Sequence, residues 1–229
     1  MCFSPSVSFA AGAVLSTTGV FALTKTTGRN QIPLAMIPLL FGIQQFCEGI
    51  LWLTMNDKIS GSWTYPTALV FLIFAQVIWP IWTPLAILSL ESQPPRRKLL
   101  RALLISGTVL SIYHAWCLTA FPVAVDVCGK HIDYVRYLPQ GPAPFVATIY
   151  LIVSIVPPFI SSIKNIRILG VATLLSFAFA AYFYREYVIS VWCLFAAVIS
   201  TFVAYITLQW KKEVQPSAEN AQASDAHPH

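Results

Sequence analysis

Charge is what this sequence has least of. Only 10% of its 229 residues are Asp, Glu, Lys or Arg, while 57% are hydrophobic. A water-soluble domain carries roughly a quarter charged residues, because its surface must be solvated. The shortage excludes an ordinary soluble enzyme and makes lipid the main solvent. The formal net charge of +5 is no nucleic-acid footprint either, because the Lys and Arg residues sit between apolar runs, where topology signals lie.

Other absences remove whole chemistries. No lysine lies inside an apolar run, which excludes a retinal Schiff base. Cys-x-x-Cys-His, Gly-x-Gly-x-x-Gly, a P-loop and His-Glu-x-x-His are all missing. No internal repeat stands out, so an inverted-repeat transporter gains nothing from symmetry. Intramembrane hydrolases of the ceramidase type hold zinc with three His. Here only His114 lies within an apolar run, and only His131 could fold down beside it.

What is present is a set of seven apolar runs: Ser6–Leu23, Ile32–Met55, Tyr65–Leu90, Leu99–Phe121, Phe145–Ser162, Ile168–Tyr184 and Tyr187–Leu208. A span needs roughly 20 apolar residues to cross ~30 Å of hydrocarbon. The first, fifth and sixth qualify narrowly. No basic residue precedes the first run, so it reads as a retained span and not a signal peptide. The fold class expected is therefore all-α, a seven-span membrane bundle.

Basic residues orient it. Lys25, Arg29, Arg96, Arg97, Lys98, Arg101, Lys164, Arg167, Lys211 and Lys212 fall on one side, and Lys58, Lys130, Arg136 and Arg185 on the other. The positive-inside rule places the N-terminus outside and the C-terminus in the cytoplasm. The membrane domain then covers residues 1–212. Residues 213–229, rich in Ala, Ser, Asn, Gln and Pro, read as a disordered cytoplasmic tail. Between spans four and five, alternating β-branched and aromatic residues flank Gly129. They predict a short extracytoplasmic β-hairpin, Val123–Val127 with His131–Tyr137, laid over the helix ends. Pro80, Pro84, Pro157 and Pro158 predict bends in spans three and five.

Glu48 is the only acid deep within a run, and His114 the only histidine. Each lies sixteen positions beyond the cytoplasmic start of its span, Ile32 for Glu48 and about Lys98 for His114, or roughly 24 Å along a helix axis. They share a depth, and a buried carboxylate needs a partner. A Glu–His contact that only fixes packing stands beside a pocket that binds a metal ion or small ligand. Gln44, Gln45, Tyr113 and Cys117 would line that pocket. A metal, of the transition class, would need two or more further ligands beside Glu48 and His114, from Cys2, Cys117, His131 or water. Cys2 and Cys128, both outside, form the expected disulfide; the alternative is a free N-terminal cysteine. Cys47, Cys117 and Cys193 read as small buried hydrophobes. Trp52, Trp63, Trp116 and Trp192 read as an outer interfacial belt.

The opening Met-Cys-Phe-Ser-Pro-Ser, the stretch Leu39–Gln45 followed by Glu48-Gly49, Tyr113-His114 and Gly129-Lys130-His131-Ile132 resemble a family of small bacterial seven-helix membrane proteins of unknown function. The resemblance covers most of the chain except the tail. It implies a location in the bacterial inner membrane and draws the eye to Cys2, Glu48, His114 and His131, with no activity attached. Four functions compete: a binding protein with an outward-facing polar pocket, an intramembrane enzyme on a lipid-like substrate, a transporter, and a structural subunit. The lipid bilayer is the one partner implied. Protein partners are not specified, and nucleic acid is not expected.

Overall fold

Ser4 opens the first helix. Its hydroxyl accepts the Val7 N–H at 3.4 Å, and Pro5 fills the first turn, where no hydrogen bond is lost. The structure is a computed structural model that describes residues 4–56, 58–128, 131–136, 143–183 and 188–209; within these, the side chains of residues 126–128, 131, 133, 135, 136, 143, 189, 190 and 194 are not described. The expected tail and the Cys2–Cys128 disulfide therefore lie outside the described atoms.

Helix α1 (Pro5–Thr24) packs along α3 (Ile37–Met55), which continues a one-turn helix α2 (Ile32–Ala35). Small residues let the two backbones approach. A Cβ on Gly19 would sit 2.5 Å from the Leu39 backbone nitrogen. The third pass is made of α4 (Thr64–Leu72), a π-helical segment Ile73–Ile78, and α5 (Trp79–Leu90). It packs on α6 (Pro94–Ala120), where Gly107 meets the Pro80 carbonyl so closely that no side chain fits.

Strands β1 (Val123–Cys128) and β2 (His131–Arg136) pair antiparallel, with Val125 opposite Tyr134 and Cys128 opposite His131. Ile132 and Tyr134 point into the bundle end, and the Tyr134 ring stacks on Phe71 at 4.8 Å. The chain continues through α7 (Ala143–Ile155), α8 (Pro157–Ile160), α9 (Lys164–Phe183) and α10 (Val188–Ser200), with helix resuming as far as Gln209.

Among the described residues, six helices are long and apolar enough to cross a membrane: Pro5–Thr24, Arg29–Met55, Gly61–Leu90, Pro94–Ala120, Lys164–Phe183 and Val191–Gln209. The expected fifth span differs. It is a shorter apolar helix that breaks at Val156, because two successive prolines cannot donate to the preceding turn.

The surface is turned for lipid. Ile105, Val109, Ile112 and Trp116 recur at helical spacing along one exposed stripe of α6, while Ser111 and His114 of the same helix are buried. A water-soluble helix shows the opposite pattern. The chain is thus mostly helical, with apolar helices consistent with a membrane protein.

The interior is layered. Under the hairpin lies an apolar cluster with Leu51, Trp52, Phe71, Leu118 and Cys193. At the other end lies a second, with Leu34, Ile87, Leu100, Ile166, Leu169 and Val203. Trp52 belongs to the first cluster and is buried, so it is not part of an interfacial belt; Trp63 and Trp116 are exposed, as a belt requires.

Candidate functional site

Between the two apolar clusters α3 carries three fully buried polar side chains, Gln44, Gln45 and Glu48. Facing hydrocarbon would leave their hydrogen-bonding groups unmet, so this face of α3 turns inward. Gln45 Nε2 donates to Glu48 Oε2 at 3.3 Å. Gln44 joins three helices: its Oε1 accepts from Trp79 Nε1 at 2.9 Å on α5, and its Nε2 donates to Cys193 Sγ at 3.4 Å on α10. Phe41 stacks on Trp79 with centroids 4.0 Å apart. The Glu48 carboxylate also lies within electrostatic reach of Cys193.

His114 meets the third pass at Gln76, and Pro80 explains this contact. In an α-helix the N–H at position 80 would bond the Gln76 carbonyl, and in a π-helix the Ala75 carbonyl. Proline has no N–H to give either. Side chains of α6 and α7 supply the donors. Tyr150 Oη donates to Ala75 O at 2.5 Å, His114 Nδ1 to Gln76 O at 3.0 Å, and Ser111 Oγ to Val77 O at 2.7 Å. A carbonyl only accepts, so His114 carries a proton on Nδ1. The Tyr113 ring lies half-buried beside His114, centroids 5.8 Å apart, and Cys117 is a buried free thiol one turn further on.

Glu48 and His114 are both tied to the third pass. Glu48 belongs to the α3 layer that Gln44 ties to Trp79, and His114 bonds the backbone of Gln76, three residues before Trp79. Among the described residues no three His, Cys, Asp or Glu side chains form a group able to hold a metal ion. Of the four expected ligands, Cys2 and the side chain of His131 lie outside the described atoms. Metal binding is therefore without support in the described site.

A cavity of about 90 Å³ lies directly beneath the Gln44 layer, on the side away from the hairpin. Its walls include Trp79 and Cys193, the two partners of Gln44, and Tyr150, whose ring neighbours His114 at 6.1 Å and Trp192 at 6.1 Å. Below them Ile87, Leu169 and Ile199 give an apolar lining. Ser154 Oγ and Trp192 Nε1, both at this cavity, are buried and have no hydrogen-bond partner among the described residues.

The sequence reading did not single out Trp79, Tyr150 or Ser154, and it assigned Trp192 to the belt. Trp192 is half-buried and lines the cavity, and its indole nitrogen is buried without a hydrogen-bond partner among the described residues. One signal was available. A proline inside a span frees the carbonyl four residues back, and so marks Gln76 as a group that some neighbour must satisfy.

Among the described residues Glu91 is the other buried acid, and it lies beyond the end of α5. Its Oε2 accepts from the Ser162 N–H at 2.7 Å and its Oε1 from the Gln93 N–H at 3.0 Å. Burial pushes its carboxyl up, but these donors and the Arg96 charge outweigh burial and hold it below the usual carboxylate range. It ties the α5–α6 loop to the α8–α9 loop.

No curated protein and no solved structure matches the chain. A family model does, over residues 1–221. The chain belongs to that family, DUF6629, a family of unknown function.

Proposed function

We propose that the protein is a seven-pass protein of a bacterial inner membrane, N-terminus outside, that binds a small uncharged ligand inside the bilayer. The site is the cavity beneath Gln44. In this reading α7 and α8 together make the fifth pass, and the hairpin covers the outer end of the bundle. The distribution of Lys and Arg supports that orientation.

The observation that carries the proposal is that the fully buried Gln44 bonds two residues of the cavity wall, Trp79 and Cys193, with Gln45 and Glu48 buried beside it on the same helix. Polar residues at membrane depth are costly and concentrate where a bundle handles a ligand. Among the described residues no Lys, Arg, Asp, Glu or His lines the cavity, which favours a neutral ligand. The binding reading replaces an outward-facing pocket with one separated from the hairpin by the polar layer and the apolar cluster above it.

The test is native mass spectrometry of protein purified in mild detergent. Wild type should carry a small-molecule adduct, and Ala196→Phe, which fills the cavity, should lose at least five-sixths of it while keeping its helix content. An adduct of equal occupancy in both proteins, or none in wild type, would contradict the proposal.

A further inference from the structure

We infer that the ligand of this cavity is a single hydrocarbon chain bearing a neutral carbonyl, an acyl chain in ester linkage, whose carbonyl oxygen accepts from Trp192 Nε1–H and Ser154 Oγ–H. The inference rests on the reading of the cavity as a ligand site and adds the ligand's class.

Shape comes first. The lining runs from Trp79 to Ile87 on α5 and from Trp192 to Ser200 on α10. Each interval is eight residues, about 12 Å along a helix axis. A volume of about 90 Å³ spread along that length is a narrow slot. An apolar cavity of roughly 150 Å³ is known to admit benzene, so this smaller and longer one suits a chain better than a ring.

Polarity gives the direction. Ser154 is 7% exposed, yet its hydroxyl makes no hydrogen bond among the described residues. In a helix a serine usually bonds the carbonyl one turn back, so an unmet hydroxyl in a cavity wall points to an outside acceptor. Trp192 Nε1 is a donor only, and its buried N–H is likewise unmet. Each therefore calls for an acceptor, and one carbonyl oxygen, with two lone pairs, has the capacity to take both. Five other polar side chains of the wall are engaged: Trp79 and Cys193 with Gln44, Tyr150 with Ala75 O, Thr173 with Leu169 O, and Ser200 with Ala197 O. Toward Ile87, Leu169 and Ile199 the slot is apolar and suits the tail. A carboxylate would be buried without a cation in the wall, at a cost of several kcal/mol, so the ester is favoured over the ionised acid.

The experiment uses three photoactivatable probes with a diazirine mid-chain: a long-chain fatty acid methyl ester, the free acid, and the corresponding alkane. Each is added to full-length protein in detergent, and labelled peptides are mapped. The ester should label peptides holding Leu169, Ala196 or Ile199, and excess unlabelled ester should compete it away. Trp192→Phe and Ser154→Ala should each reduce this labelling at least fivefold, and the alkane should label at a similarly low level. Equal labelling by the alkane, stronger labelling by the free acid, or labelling confined to the outward residues Val171 and Leu175 would overturn the inference. So would competable labelling that neither substitution alters. If the co-purifying adduct exists but the ester fails, the ligand class is wrong and the site stands. If both fail, the site falls too.

Discussion

His114 shows how far a single residue's meaning depends on another helix. Its depth and its rarity mark it in the sequence, and both suggest Glu48 as its partner. The fold sets its Nδ1 against Gln76 O, freed by Pro80 on the third pass. No spacing within α6 encodes that contact, because it depends on which helix packs there. His114→Ala should therefore destabilise the protein by about 1–2 kcal/mol, the cost of leaving a buried carbonyl unmet. His114→Asn should recover most of the loss, because its amide nitrogen can replace Nδ1. Denaturant titration of the purified protein measures both. An alanine variant as stable as wild type, or an asparagine variant no better than alanine, would refute this role.

At the scale of elements, the long helices were legible and their joints were not. Hydrophobic runs identify α1, α3, α6 and α9 because lipid demands an apolar surface over a whole span. The π-helical segment at Ile73–Ile78 and the break at Val156 follow from prolines whose positions are plain in the sequence, although the geometry each imposes is settled by neighbours. The Glu91 clasp was illegible for the same reason: its donors come from Gln93 nearby and from Ser162, on a distant loop. Its carboxyl is held below its ordinary value in the fold, so its stabilisation is present above the unfolded value of about 4.3 and is lost as pH falls through the lower folded value. Acidification from pH 6 to pH 3 should weaken wild type more than Glu91→Gln. Equal acid sensitivity of the two proteins would show that the clasp contributes nothing.

For the whole molecule, the sequence conveys an inside-out protein, with polar groups buried and aliphatic side chains exposed. The buried layer of Gln44, Gln45 and Glu48 could be anticipated from their intrusion into an apolar run. The cavity below it could not, since a cavity is a property of how α3, α5, α7, α9 and α10 fit together. Everything proposed for that cavity requires it to lie within a bilayer crossed seven times, and the short, broken α7–α8 segment is the pass on which this turns. The direct measurement is thiol accessibility in intact cells. Single cysteines are placed at positions 62, 97 and 164, in protein whose Cys2 and Cys128 are replaced by alanine. An impermeant maleimide should label position 62 from outside and reach 97 and 164 only after permeabilisation. Labelling of 164 from outside, with 97 still protected, would mean that α7–α8 does not cross, and would contradict the seven-pass account.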